Sequence, residues 1–398
     1  MTASDFTSAL SDKAYAAGWR LVRALPERTV RRAFDAGADA AARRANRAAR
    51  AGQPNQLRLN LARVLGVRPE QVPDQLIHKS MRSYARYWRE AFRLPSMDHA
   101  ALGSRLSVQQ VENLEAALAR GKGVILVLPH SGNWDMAGVW LVQNNGRFAT
   151  VAERLKPESL FERFVAYRES LGFEVFPLTG GEQPPFPQLA QRLRAGGVIC
   201  LMGERDLTGK GVPVTFFGER TWMPAGAAKL AVETGAALIP VHCWFTEDAA
   251  GNEGWGFKTE PALDVSGGVA AATQALADRF AANIAAHPAD WHMLQPLWES
   301  DLSEARLDRI AAAQRELGYT RDETPTTSAP TGADVGARSA GAAKTGARGA
   351  DAGATGAADV GAAGADPADV AATVDGAAVA PNADGRVDAT EHKGEGAL

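Results

Sequence analysis

Cysteine is nearly absent: Cys200 and Cys243 are the only two in 398 residues. That excludes a disulfide scaffold. Both lie in apolar runs, as buried reduced thiols of a cytosolic protein would. Nowhere do about 18 uncharged apolar residues run together, so no membrane span is expected. No secretory apolar core precedes the first basic residues, which excludes a signal peptide. Aromatics are missing altogether after residue 320, and large apolar residues there are a few Val and Leu398. A segment so poor in apolar surface cannot offset its ordering entropy, so 321–398 is expected to be a disordered, Ala/Gly-rich acidic tail. It carries about −6 of the chain's net −3. The remaining 1–320 is therefore about +3 and is expected to be one folded domain.

The basic excess is concentrated in residues 1–50, about +5. Tyr15, Trp19 and Val22 share one helical face, with Lys13, Arg20, Arg23, Arg28, Arg31 and Arg32 around them. Arg43, Arg44, Arg47 and Arg50 follow. Such a helix can lie on an anionic bilayer, or it can be a core-packed helix with a solvated Arg face.

Further on, apolar strand-length runs alternate with helical patterns. Strands are expected at 124–128, 149–153, 174–178, 197–202 and 237–245. Helices are expected at 55–66, 74–93, 107–120, 133–143, 159–171, 186–195, 225–234 and 267–287. The alternation predicts an α/β fold, a mostly parallel central sheet flanked by helices on both faces.

Two charged motifs sit just past buried strands, where open α/β sheets place ligands. The first is His130-Ser131-Gly132-Asn133-Trp134-Asp135 after VILVLP. A tight turn would let Asp135 reach back to the imidazole and fix its tautomer, leaving the other ring nitrogen as a base. A capped turn with an incidental His fits the same spacing. The second is Gly203-Glu204-Arg205-Asp206 after GVICLM. Glu204 could orient His130 or bind a substrate hydroxyl, and Arg205 could pair with Asp206. The loop Thr208-Gly209-Lys210-Gly211 would let backbone and ammonium approach a phosphate, although it lacks Walker spacing. Arg168, near a helix C-terminus, could serve the dipole or a phosphate. Glu233 is the only carboxylate of an apolar stretch; it could touch a ligand or pair with Lys229. No metal-ligand spacing, dinucleotide fingerprint or G-x-S-x-G elbow is found.

HSGNWD, GERD, the FFG-x8-GAA segment and TGAALIPV together resemble the bacterial lipid A late acyltransferase family. SYARYWREAFRLP and DWHMLQPLW narrow the resemblance to its actinobacterial branch, which acylates phosphatidylinositol mannosides. The resemblance covers most of residues 10–305. It implies a glycerolipid-acyltransferase-like fold over 1–320, with 1–50 as membrane-docking helices. It also implies transfer of palmitoyl from acyl-CoA to the 6-hydroxyl of the mannose on the inositol 2-position. His130 would be the base and Asp135 and Glu204 its supporting acids. His130, Arg168, Lys210 and Glu233 would contact the acyl-CoA. Acyl-CoA is then a co-substrate, and no cofactor, metal or nucleic acid is implied. The expected location is the cytoplasmic face of the cell membrane. Another glycolipid acceptor, or a non-catalytic lipid-binding protein on the same fold, remain alternatives from sequence.

Overall fold

The computed structural model describes residue 18 and residues 20–97, 103–154, 158–181 and 183–316. Lys13, Tyr15 and Trp19 of the N-terminal stripe, and all of 321–398, lie outside the described residues.

The strands are β1 (Leu106–Gln109), β2 (Val124–Leu128), β3 (Phe148–Ala152), β4 (Phe173–Pro177), β5 (Val198–Met202), β6 (Val212–Phe216), β7 (Glu219–Met223), β8 (Ala237–Glu247) and β9 (Glu253–Thr259). The helices are α1 (Glu27–Arg50), α2 (Gln56–Leu65), α3 (Asp74–Arg93), α4 (Val111–Ala119), α5 (Trp134–Asn145), α6 (Glu158–Ser170), α7 (Pro185–Arg194), α8 (Gly226–Thr234), α9 (Gly268–Ala286) and α10 (Glu304–Glu316). Seven strands form one sheet in the order β1-β9-β8-β2-β5-β3-β4, and β6 and β7 form a separate hairpin. From β8 to β4 every pairing is parallel; β9 runs antiparallel to β8, and β1 parallel to β9.

Both faces of the sheet are covered, as an unbroken apolar strand such as VILVL requires. Val124, Leu126 and Leu128 pack in one cluster with α3, α4, α5 and α6. Ile125 and Val127 point into a second, with α7, α8, α9 and the hairpin. A third apolar cluster joins α1, α2 and α3.

Several elements depart from the expected pattern. The helix expected from residue 107 begins at Val111, after strand β1. Gln110 between them has φ 56, and its carbonyl accepts from Thr259 Oγ1 at 2.5 Å. A left-handed residue cannot continue a helix, so the segment splits there. The hairpin β6–β7 turns on Phe217 and Gly218, both at positive φ, the pattern of a two-residue turn between twisted strands. Strand β9 and helix α10 were also not expected from the sequence. No helix among the described residues is long and apolar enough to cross a membrane.

Candidate active site

The register of β2 against β5 builds the site. Leu128 pairs with Met202, and the Gly203 amide extends the ladder by donating to the Leu128 carbonyl at 2.9 Å. His130 and Glu204 each stand two residues past that pair, so the two strand ends deliver them to one place. His130 Nδ1 lies 2.7 Å from Glu204 Oε1, and the His130 amide donates to the same oxygen at 2.5 Å. A carboxylate only accepts, so the Nδ1 contact places the ring proton on Nδ1 and leaves Nε2 with its lone pair. Nε2 has no hydrogen-bond partner among the described residues. Glu204 is fully buried, and its Oε2 has no partner either.

The loop after His130 is held from three sides. The His292 amide donates to the His130 carbonyl at 2.7 Å and the Gly132 amide to the Asp290 carbonyl at 2.9 Å. Ser131 bridges Trp291, and its Oγ donates to the Cys243 carbonyl at 2.9 Å. Gly132 has φ +58, and a Cβ there would stand 2.7 Å from the Cys243 carbonyl carbon. Asn133 caps α5, its side chain accepting from the Met136 amide at 2.9 Å. Trp134 stacks on Tyr87 at 4.0 Å and stands edge-on to His130 at 5.4 Å.

Asp135 does not reach the imidazole. Its Oδ1 accepts from Arg168 Nε at 2.9 Å and its Oδ2 from the Tyr87 hydroxyl at 3.2 Å. The reason is helical direction: residue 135 opens α5 and points toward α6 and α3, while the oxygen beside Nδ1 comes from the neighbouring strand. Both Asp135 and Arg168 are buried. Burial disfavours the Arg168 charge, but the adjacent Asp135 carboxylate outweighs it and raises the guanidinium above its ordinary value. Arg168 is thus spent on Asp135, not displayed to a phosphate. Glu233 is exposed and pairs with Arg194 of α7 at 2.5 Å; it does not pair with Lys229. Lys210 is exposed, in a loop that Asp206 holds through the Thr208 and Gly211 amides. Arg205 and Asp206 form no ion pair with each other among the described residues.

A narrow, almost wholly apolar cavity runs beneath this site between the sheet and α5. Leu126, Leu128, Leu141, Phe173 and Cys200 line it, with Trp134 shared with the histidine. The Asp135–Arg168 pair also borders it. Burial pushes both cysteine thiols well above their usual range. No group of three or more His, Cys, Asp or Glu that could hold a metal occurs among the described residues.

Ser83, Tyr87, Asp290 and His292 escaped the sequence reading as site neighbours. Ser83 Oγ donates to Asp290 Oδ1 at 2.7 Å and lies 3.0 Å from His292 Nε2. The available signal was the pair of segments that contain them, SYARYWREAFRLP and DWHMLQPLW.

A family profile described as bacterial lipid A biosynthesis acyltransferase matches residues 2–300. A phosphatidylinositol mannoside acyltransferase of Mycolicibacterium smegmatis is 65% identical over 302 residues, covering 76% of this chain and 95% of that protein. Two proteins of the same name from Mycobacterium tuberculosis are 64% and 63% identical over 306 residues, covering 76% of this chain and 93% of each. The chain therefore belongs to the bacterial lipid A biosynthesis acyltransferase family and is an acyltransferase.

Proposed function

We propose that this acyltransferase moves a palmitoyl chain from its coenzyme A thioester to the 6-hydroxyl of the mannose on the inositol 2-position of a phosphatidylinositol mannoside. The observation that carries the reading is the His130–Glu204 pair, with an unpartnered Nε2, beside an apolar cavity of acyl-chain character. Relatives with 63–65% identity bear the corresponding name.

In this reading Nε2 takes the hydroxyl proton as the sugar oxygen attacks the thioester carbonyl. The tetrahedral intermediate then expels the coenzyme A thiolate, and the imidazolium returns the proton to sulfur. Glu204 keeps the tautomer and offsets the transient positive charge. General-base help of this kind is worth about 10²–10⁴ in rate, provided the reacting atoms are held about 3–3.5 Å apart. The Asp135–Arg168 pair fixes the start of α5 and the cavity wall. Lys210, open to solvent in the loop after Glu204, is the candidate for contact with the rest of the acyl-CoA. Glu233, paired with Arg194 near the amino ends of β5 and β8, lies at the other edge of the sheet from His130.

The acceptor is an anionic lipid, so the enzyme works at the cytoplasmic surface of the cell membrane. Arg28, Arg32, Arg43 and Arg47 of α1 are exposed, and each basic residue near an anionic leaflet is worth about 1 kcal/mol. The decisive experiment incubates the protein with labelled palmitoyl-CoA and a panel of mannosylated and unmannosylated phosphoinositides. Label on the mannosylated lipids alone is expected. Label released only as free palmitate would replace transfer by hydrolysis.

A further inference from the structure

One residue past Glu204 the chain borders a second hollow, of about 520 Å³ and distinct in lining from the apolar cavity. Its walls come from Arg205 and Asp206, from Trp222 of β7, from Asp301, and from Arg306 and Arg309 of α10. Three guanidinium groups thus face two carboxylates, and the carboxylates are already engaged. Asp301 is held from outside the hollow by Arg63, whose Nη1 and Nη2 donate to its two oxygens at 2.8 and 2.9 Å. Asp206 accepts from the Thr208 amide at 2.9 Å and the Gly211 amide at 3.1 Å. Arg306 is tied to the loop carbonyls of Asp206 and Leu207. Arg205 and Arg309 form no ion pair among the described residues. The lining also contains a buried donor with nothing to receive its proton: Trp222 is 7% exposed, and its Nε1 has no partner. Indole N–H can only donate.

A hollow with surplus guanidinium, lined by an indole whose N–H has no partner, suits an anionic ligand rich in acceptor oxygens, as phosphoryl groups are. We propose that this hollow is a phosphoryl-binding subsite for one of the two substrates. Both substrates of the reaction proposed above carry phosphate, the donor in its coenzyme portion and the acceptor in its phosphodiester. The identity of the bound substrate rests on that reaction; the binding of phosphate itself does not. Arg205 of its lining directly follows Glu204 in the chain, which ties the hollow to the strand end that carries the His130 partner.

Calorimetric titration of the full chain with inorganic pyrophosphate tests the subsite without turnover. Binding is expected, and Arg205→Ala/Arg309→Ala should weaken it about tenfold or more, the scale of one lost charge-assisted hydrogen bond. Trp222→Phe keeps both arginines and should weaken it less, with an unchanged melting temperature as the folding control. No binding to the unaltered chain, or equal binding by all three proteins, overturns the subsite. Kinetics then separate the sources: the double variant raises KM for palmitoyl-CoA if the donor's phosphate sits there, or KM for the mannoside if the acceptor's does. Unchanged values for both overturn the assignment to this reaction. A chain that binds pyrophosphate through these residues yet transfers no acyl group refutes the reaction and sustains the subsite.

Discussion

His130 and Asp135 share one motif but not one task. Glu204, not Asp135, meets the imidazole, so the two carboxylates should respond differently to substitution. Glu204→Gln and His130→Ala are expected to lower kcat by about 10²–10⁴ with little change in melting temperature; steady-state kinetics on purified variants measure this. Asp135→Asn should act mainly on stability. It leaves the Arg168 charge buried without its counter-ion, at a cost of about 3–5 kcal/mol read from urea unfolding. Two buried histidines other than His130 contribute to the acid response. Burial, then the His287 ring and Lys258, lowers His242 to about 3, and burial, then His130, lowers His292 to about 3. The unfolded chain protonates both near pH 6.5. Between about pH 6.5 and about pH 3 it therefore binds more protons than the folded chain, and stability rises with pH. The melting temperature should fall as pH drops below about 6.5, and His242→Gln should flatten that slope. That His130 and Glu204 stand at strand ends was readable from HSGNWD and GERD because each follows an apolar run. Which acid serves the imidazole was not, since it depends on β2 lying next to β5 in a fixed register.

Strands and helices were readable where their signal is internal. VILVL and GVICLM announce buried strands, and Asn133 announces the start of α5. Failures occurred where a neighbour decides. Gln110 takes a left-handed turn in which its carbonyl accepts from Thr259 Oγ1, and no local rule places a strand ahead of it. Strand β9, with Gly254 and Gly256, has weak strand propensity of its own. Gly256 is needed because a Cβ would lie 2.0 Å from the Trp244 ring. Two elements carry predictions. Gly132→Ala sets a side chain against the Cys243 carbonyl at positive φ, and about 1–3 kcal/mol of lost stability should accompany lost activity. Reversing charge at Arg28, Arg32, Arg43 and Arg47 on α1 should release the protein from anionic vesicles, as added salt should for the unaltered chain. Undiminished sedimentation with vesicles would dissociate α1 from docking.

For the whole molecule, the net charge of −3 is the sum of about +3 over residues 1–320 and about −6 over 321–398. The family match ends at residue 300, and the matches to the relatives cover 76% of the chain. Deleting 321–398 is expected to leave turnover and melting temperature unchanged; a loss of either would give that segment a role. The domain is also sewn shut by its own end. Asp290, Trp291 and His292 clasp the loop that carries His130, and Trp298 bridges Thr221 while donating to the Phe216 carbonyl at 2.8 Å. During synthesis His130 and Glu204 leave the ribosome long before this clasp. A chain that ends before Asp290 keeps both residues but lacks the Asp290, Trp291 and His292 contacts to their loop. Turnover is therefore expected only once the segment through Trp298 has been made, and a chain ending before Asp290 should show none in the labelled-acyl assay.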